Sequence, residues 1–81
     1  LDTGAMYRAA TWNAVTRGVD LDDGAALAEA TRAMDLRIDE SEGRQRVFVG
    51  DDEVTDAIRT PEITALIRKL DRTQAVRDRL V

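Results

Sequence analysis

Apolar and polar positions alternate along this chain in two different rhythms. Over residues 5–17 the rhythm is helical: Met6, Ala9, Ala10, Asn13 and Ala14 share one face, with Trp12 and Val15 on its flank. Asp2 or Thr3 can cap the start of this helix, and Gly18 supplies a left-handed stop. Val19, Asp20 and Leu21 make a short connector. A second helix then opens at Asp22 or Asp23 and reaches Met34, with Leu27, Ala30 and Met34 at helical spacing and Ala26 beside them.

The period then shortens to two. Residues 35–39 alternate as a strand with one covered face, 40–43 form a polar turn, and 45–49 read as a second strand. Gly50, Asp51 and Asp52 turn again, and Glu53, Val54 and Thr55 read as a short third strand. Three strands need a helix against one face, and the second helix is the expected cover. Residues 56–59 read as a single helical turn. Thr60, Pro61 and Glu62 then combine a cap, a proline at the first helical position and an acid in the first turn. Ile63, Leu66, Ile67 and Leu70 follow at i, i+3, i+4 and i+7. Asp71, Arg72 and Thr73 break this helix, and Thr73 can cap a last one in which Val76 and Leu80 share a face. The expectation is one α+β domain over residues 1–81: four main helices and a small three-stranded antiparallel meander. The last helix meets the C-terminus without a stop signal, which points to a longer parent chain.

Composition narrows the chemistry. The 81 residues allow a thin core only. With one Trp, one Tyr and one Phe, aliphatic residues must fill it, and Trp12 reads as core or interface filler rather than a stacking platform. No cysteine or histidine is present, so thiolate and imidazole chemistry are excluded, and the lack of cysteine agrees with a reducing, cytoplasmic setting. No run is long enough to span a membrane. The net charge of −4 argues against nucleic-acid binding over the whole surface. Bases concentrate near the end, at Arg68, Lys69, Arg72, Arg77 and Arg79, but Asp71 and Asp78 interrupt them and no aromatic lies among them. Asp20, Asp22 and Asp23 lack the continuing ligand pattern of a calcium loop and read as acids favoured at a helix N-terminus. The remaining candidate is an anion site at the opening helix, where the Arg8 guanidinium and the Thr3 hydroxyl lie near free N–H groups.

Three separated segments resemble the bacterial cytidylate kinases, which phosphorylate CMP and dCMP. Residues 1–8, Leu-Asp-Thr-Gly-Ala-Met-Tyr-Arg, are similar to the family's Leu-Asp-Thr/Ser-Gly-Ala-hydrophobic-Tyr-Arg signature. Residues 47–63 are similar to its strand, acidic turn, Asp-Val-Thr/Ser and Ile-Arg-Thr-Pro-Glu-Val run. Residues 74–81 are similar to its Pro-x-Val-Arg-x-x-Leu-Val. The connector 18–23 matches as well, so the resemblance covers nearly the whole chain in order.

The resemblance implies a piece of a P-loop nucleoside-monophosphate kinase that carries the acceptor-binding region. Arg8 matches the arginine that pairs with the CMP phosphate, Thr3 a Ser/Thr near the nucleotide, and Tyr7 a structural tyrosine. Arg68 falls where the family usually has a serine that reads the cytosine edge, a departure that substitutes a bulky cation for a small hydroxyl. Thr73 and Gln74 also depart, standing where a proline is common. No G-x-x-x-x-G-K-[ST] loop occurs, so ATP and Mg²⁺ are expected on core and lid segments outside this chain, with none bound here and no catalytic residue or metal ligand in it. The meander and its helices would form a mobile cover over the base. The expected partners are CMP or dCMP and those missing segments, with no nucleic acid and no membrane. The alternative, drawn from the helix faces alone, is a helical interaction or dimerisation module that self-associates through exposed apolar surface.

Overall fold

The computed structural model describes residues 3–71 of the chain. Its elements are helix α1 (Thr3–Thr16), helix α2 (Gly24–Ala33), strands β1 (Leu36–Asp39), β2 (Arg46–Val49) and β3 (Asp52–Glu53), and helix α3 (Pro61–Asp71). Short 3-10 turns occupy Ser41–Gly43 and Ala57–Arg59. The α+β class is as expected, with three α-helices and one antiparallel sheet among the described residues. The fourth expected helix, from Thr73, lies outside them.

α1 is the hub. It contacts α2, α3, β2 and the 3-10 turn at Ala57–Arg59. Its composition explains this: Ala5, Ala9, Ala10 and Ala14 are all buried, and alanine both favours the helix and lets neighbouring backbones approach closely. A helix covered on several sides has no sharp polar face. Buried Thr11 satisfies its hydroxyl on the Tyr7 carbonyl at 2.8 Å. Asn13, also buried, donates from Nδ2 to the Ala30 carbonyl at 3.1 Å and ties α1 to α2. Among the described residues no buried side-chain polar atom lacks a partner.

α1 starts two residues before the expected Ala5 and ends in a Schellman arrangement. Gly18 adopts φ 71°, the Val19 amide bonds to the Ala14 carbonyl at 2.9 Å, and the Gly18 amide bonds to the Val15 carbonyl at 3.1 Å. The acidic connector is structural. Asp20 accepts from the Asp22 amide at 2.9 Å, and Asp23 caps α2 by accepting from the Ala26 amide at 3.1 Å. Leu27, fully buried, is the largest side chain that α2 sends into the core, beside Ala28 and Ala30.

The sheet has order β1-β2-β3. Leu36 pairs with Val49 and Asp39 with Arg46, while Phe48 pairs with Glu53 and Val49 with Asp52. Gly50 takes φ 60° at the first position of the two-residue β2–β3 loop, where a tight hairpin favours glycine. Its amide bonds to the Asp35 carbonyl at 2.8 Å. Val47 and Val49 point into the core and Ile38 packs at its edge. Two expectations are corrected. The helix with extensive contact to the sheet is α1, through β2, rather than α2, because the alanine face of α1 is narrow enough to sit directly on the strand. The third strand is Asp52–Glu53 and stops before Val54 and Thr55.

Beyond it, Ile58 is buried in the same core. Thr60 caps α3, accepting the Ile63 amide at 3.4 Å on its hydroxyl and the Thr64 amide at 3.1 Å on its carbonyl. Ile63 is buried, and Leu66 and Ile67 are half-buried, as their spacing predicts.

Candidate functional site

The three residues singled out from sequence lie on two helices that pack against each other. Thr3 and Arg8 are on α1, Arg68 on α3, and α1 and α3 share the most extensive helix–helix contact in the structure. Thr3 is the first residue of α1 and Arg8 sits in its second turn. Five residues of helix separate them by about 140° around the axis and about 7.5 Å along it. They therefore do not share a face. A common ligand would need Arg8 to extend back toward the helix start, the direction in which helical side chains lean.

Arg8 is half-buried. Among the described residues the ion pair present is Arg32 with Glu29, at 3.2 Å and on the surface, so Arg8 is not neutralised by a carboxylate there. A guanidinium with no carboxylate partner among the described residues suits a dianionic phosphate, because its fork offers two parallel N–H donors. Tyr7, the neighbour read as structural, is half-buried and packs against the core. Trp12, one turn on from Arg8, does the same. Arg68 is exposed on α3.

The structure also forms a concavity that sequence reading did not foresee. It measures about 490 Å³ and lies between the C-terminal half of α1, with Trp12, Asn13, Thr16 and Arg17, and the β2–β3 turn, with Gly50, Asp51 and Asp52. Asp35 and Val49 complete one wall. A second, more open one lies beside Arg17, Val19 and Glu29. Arg8 and Arg68 line neither. The residues of the first come from three distant stretches and carry no common motif, so no linear signal could have assembled them. Among the described residues no group of three acids is placed to hold a metal ion, and no helix is long and apolar enough to cross a membrane.

The clear electrostatic perturbation is away from these helices. Asp39, at the end of β1, is held below the usual carboxylate range by hydrogen bonds from the Ser41 amide, at 2.9 Å, and the Ser41 side chain, with a smaller contribution from the Arg46 charge. It is fully exposed and stabilises a turn rather than a reaction.

Comparison with known proteins identifies the family. The family model for cytidylate kinase matches residues 1–81. A cytidylate kinase of Exiguobacterium sibiricum is 48% identical over 81 residues, covering 100% of this chain and 36% of that protein. The cytidylate kinase of Bacillus subtilis is 41% identical with the same coverage. A bifunctional pantoate ligase/cytidylate kinase of Trichormus variabilis is 40% identical over 84 residues, covering 100% of this chain and 16% of that protein. The chain thus spans about a third of the length of the single-function relatives. With every residue from Leu1 to Val81 inside that match, the chain belongs to the cytidylate kinase family.

Proposed function

We propose that these residues are the acceptor-nucleotide-binding part of a cytidylate kinase, which transfers the γ-phosphoryl group of ATP to CMP or dCMP. The observation that carries this reading is Arg8. It stands half-buried and without a carboxylate partner among the described residues, in the second turn of a helix that begins at Thr3, inside a chain of this family. In this reading Arg8 grips the acceptor phosphate and Thr3 adds a donor at the helix start. Arg68, on the helix packed against α1, lies toward the base, where its cation replaces a small hydroxyl.

ATP and Mg²⁺ belong to other residues. This sequence has no glycine-rich phosphate loop, and no acidic cluster among the described residues fits a metal, so no step of the transfer is assigned to this chain. Catalysis of phosphoryl transfer is positioning plus charge neutralisation. What these residues contribute is the position of the acceptor. The 81-residue chain alone should form no CDP from CMP and ATP; measurable turnover by the purified chain refutes this.

The direct test uses a kinase-length protein carrying these residues. Arg8→Ala removes charge-assisted bonds worth about 1.5–3 kcal/mol, so KM for CMP should rise about 10- to 100-fold. Arg8→Lys should recover only part, since a point charge cannot bind two oxygens at once. A CMP constant unmoved by Arg8→Ala removes Arg8 from the site. No specific observation favours the interaction-module alternative: Val15, at 48% exposure, stands as the one exposed large hydrophobic among the described residues and makes no patch.

A further inference from the structure

At the end of the sheet one hydrogen bond is made by a side chain where the backbone would ordinarily make it. Continuing the β2–β3 register past the Phe48–Glu53 pair sets Val47 opposite Val54. In an antiparallel ladder such a pair exchanges two bonds. One is present, from the Val54 amide to the Val47 carbonyl at 2.8 Å. The other is not: the Val47 amide donates instead to the Thr55 hydroxyl, at 3.0 Å. The Val54 carbonyl, without its ladder partner, accepts from the Ile58 amide at 3.0 Å, a four-residue turn that runs into the 3-10 turn closed by the Arg59 amide on the Asp56 carbonyl at 3.1 Å and so into α3.

The Val47 amide, which a continued ladder would bring to the Val54 carbonyl, is thus taken by the Thr55 hydroxyl, while the carbonyl turns to Ile58. Neither amide can turn to water, because Val47 is fully buried and Ile58 is 1% exposed. The hydroxyl is itself oriented. It donates to Glu53 Oε2 at 2.9 Å, which leaves its lone pairs for Val47.

We propose that the Thr55 hydroxyl is a positioning group: it frees the Val54 carbonyl from the sheet so that the chain can turn, and so fixes how the Arg68-bearing helix α3 seats on the Arg8-bearing helix α1. Without it, either the strand lengthens through Thr55 and the turn at Ile58 is lost, or the turn stays and a buried amide is orphaned. The functional half of this proposal rests on the acceptor-site reading above.

The structural half is tested on the 81-residue chain by amide hydrogen exchange. Thr55→Val, which keeps the shape and deletes the hydroxyl, should speed exchange at Val47 or Ile58 by about tenfold or more, with the Thr31 amide in α2 unmoved. Thr55→Ser should restore wild-type protection. Wild-type protection of both amides in Thr55→Val overturns the proposal. Should that variant not fold, Glu53→Ala decides: faster exchange at Val47 supports the latch, and no change sinks it. The functional half is tested in a kinase-length protein. Thr55→Val should raise KM for CMP at unchanged kcat, and Thr55→Ser should reverse it. A loss confined to the amount of active enzyme, with KM unmoved, removes the positioning role, whereas Arg8→Ala tests the site itself independently.

Discussion

The helical layer and the meander are held by different physics. Around α1 the contacts are steric: four buried alanines let α2, α3 and β2 approach closely, and Leu27, Ile58 and Ile63 fill the space between. In the meander little is buried beyond Val47 and Val49. Its order comes from ladder bonds, a glycine turn and polar side chains that replace missing backbone partners. The layer should therefore respond to changes of volume, and the meander to the removal of donors and acceptors.

The sharpest way to break this contrast is Ala9→Leu. Ala9 is fully buried at the centre of the hub, and added methylenes in a close-packed site cost about 1–3 kcal/mol. Chemical denaturation should show a loss of that size, a large share of the stability of so small a domain. A neutral result would mean the helices have slack that the alanines do not reveal.

A smaller effect is expected from Arg37→Ala in the meander. Arg37 lies across the strand pair from Phe48, 5.2 Å from the ring centre, and donates to the Gly50 carbonyl at 3.3 Å. Exposed cation–π contacts contribute about 0.5–1 kcal/mol, and truncation should cost no more than that. A loss matching that of Ala9→Leu would erase the distinction between the two regions.

The smallest effect is the pH dependence carried by Asp39. Its carboxyl is depressed in the folded chain by the Ser41 amide first, then the Ser41 side chain and Arg46. A depressed carboxylate contributes stability above its unfolded pKa and loses it as pH falls through the folded value. The Ser41–Gly43 turn should thus loosen only on the acid side, below the ordinary carboxylate range. Asp39→Asn should flatten that part of the stability–pH curve by lowering the stability at neutral pH slightly while leaving the acid end nearly unchanged; a curve that keeps its acid limb would assign the effect elsewhere.

Much of this was legible in the sequence because local chemistry announces local structure. Gly18 ends α1, Asp23 and Thr60 cap their helices, and the change of period at Asp35 marks the sheet. Partner choice was not legible. Periodicity names the face of a helix but not what meets it, so α2 was expected over the sheet where α1 stands. The end of the third strand is hidden for a similar reason: Val54 and Thr55 fit a strand pattern, but the Val54 carbonyl turns to the Ile58 amide and the Val47 amide to the Thr55 hydroxyl, and the ladder stops at Glu53. Of the candidate site, Thr3 and Arg8 could be named because they share a short helix start, but their separation of about 140° about the axis is a property of that helix and not of the motif. The cleft beside Trp12 required three remote stretches to meet and had no sequence trace.

The Asn13 amide has a further consequence. An interface paved with alanines is nearly featureless, and two such helices could slide past each other by a turn with little change in contact. The bond from Asn13 to the Ala30 carbonyl works like a pawl in a ratchet, since any slip strands a buried amide. One polar residue thereby sets the vertical alignment that the smooth surface around it leaves open.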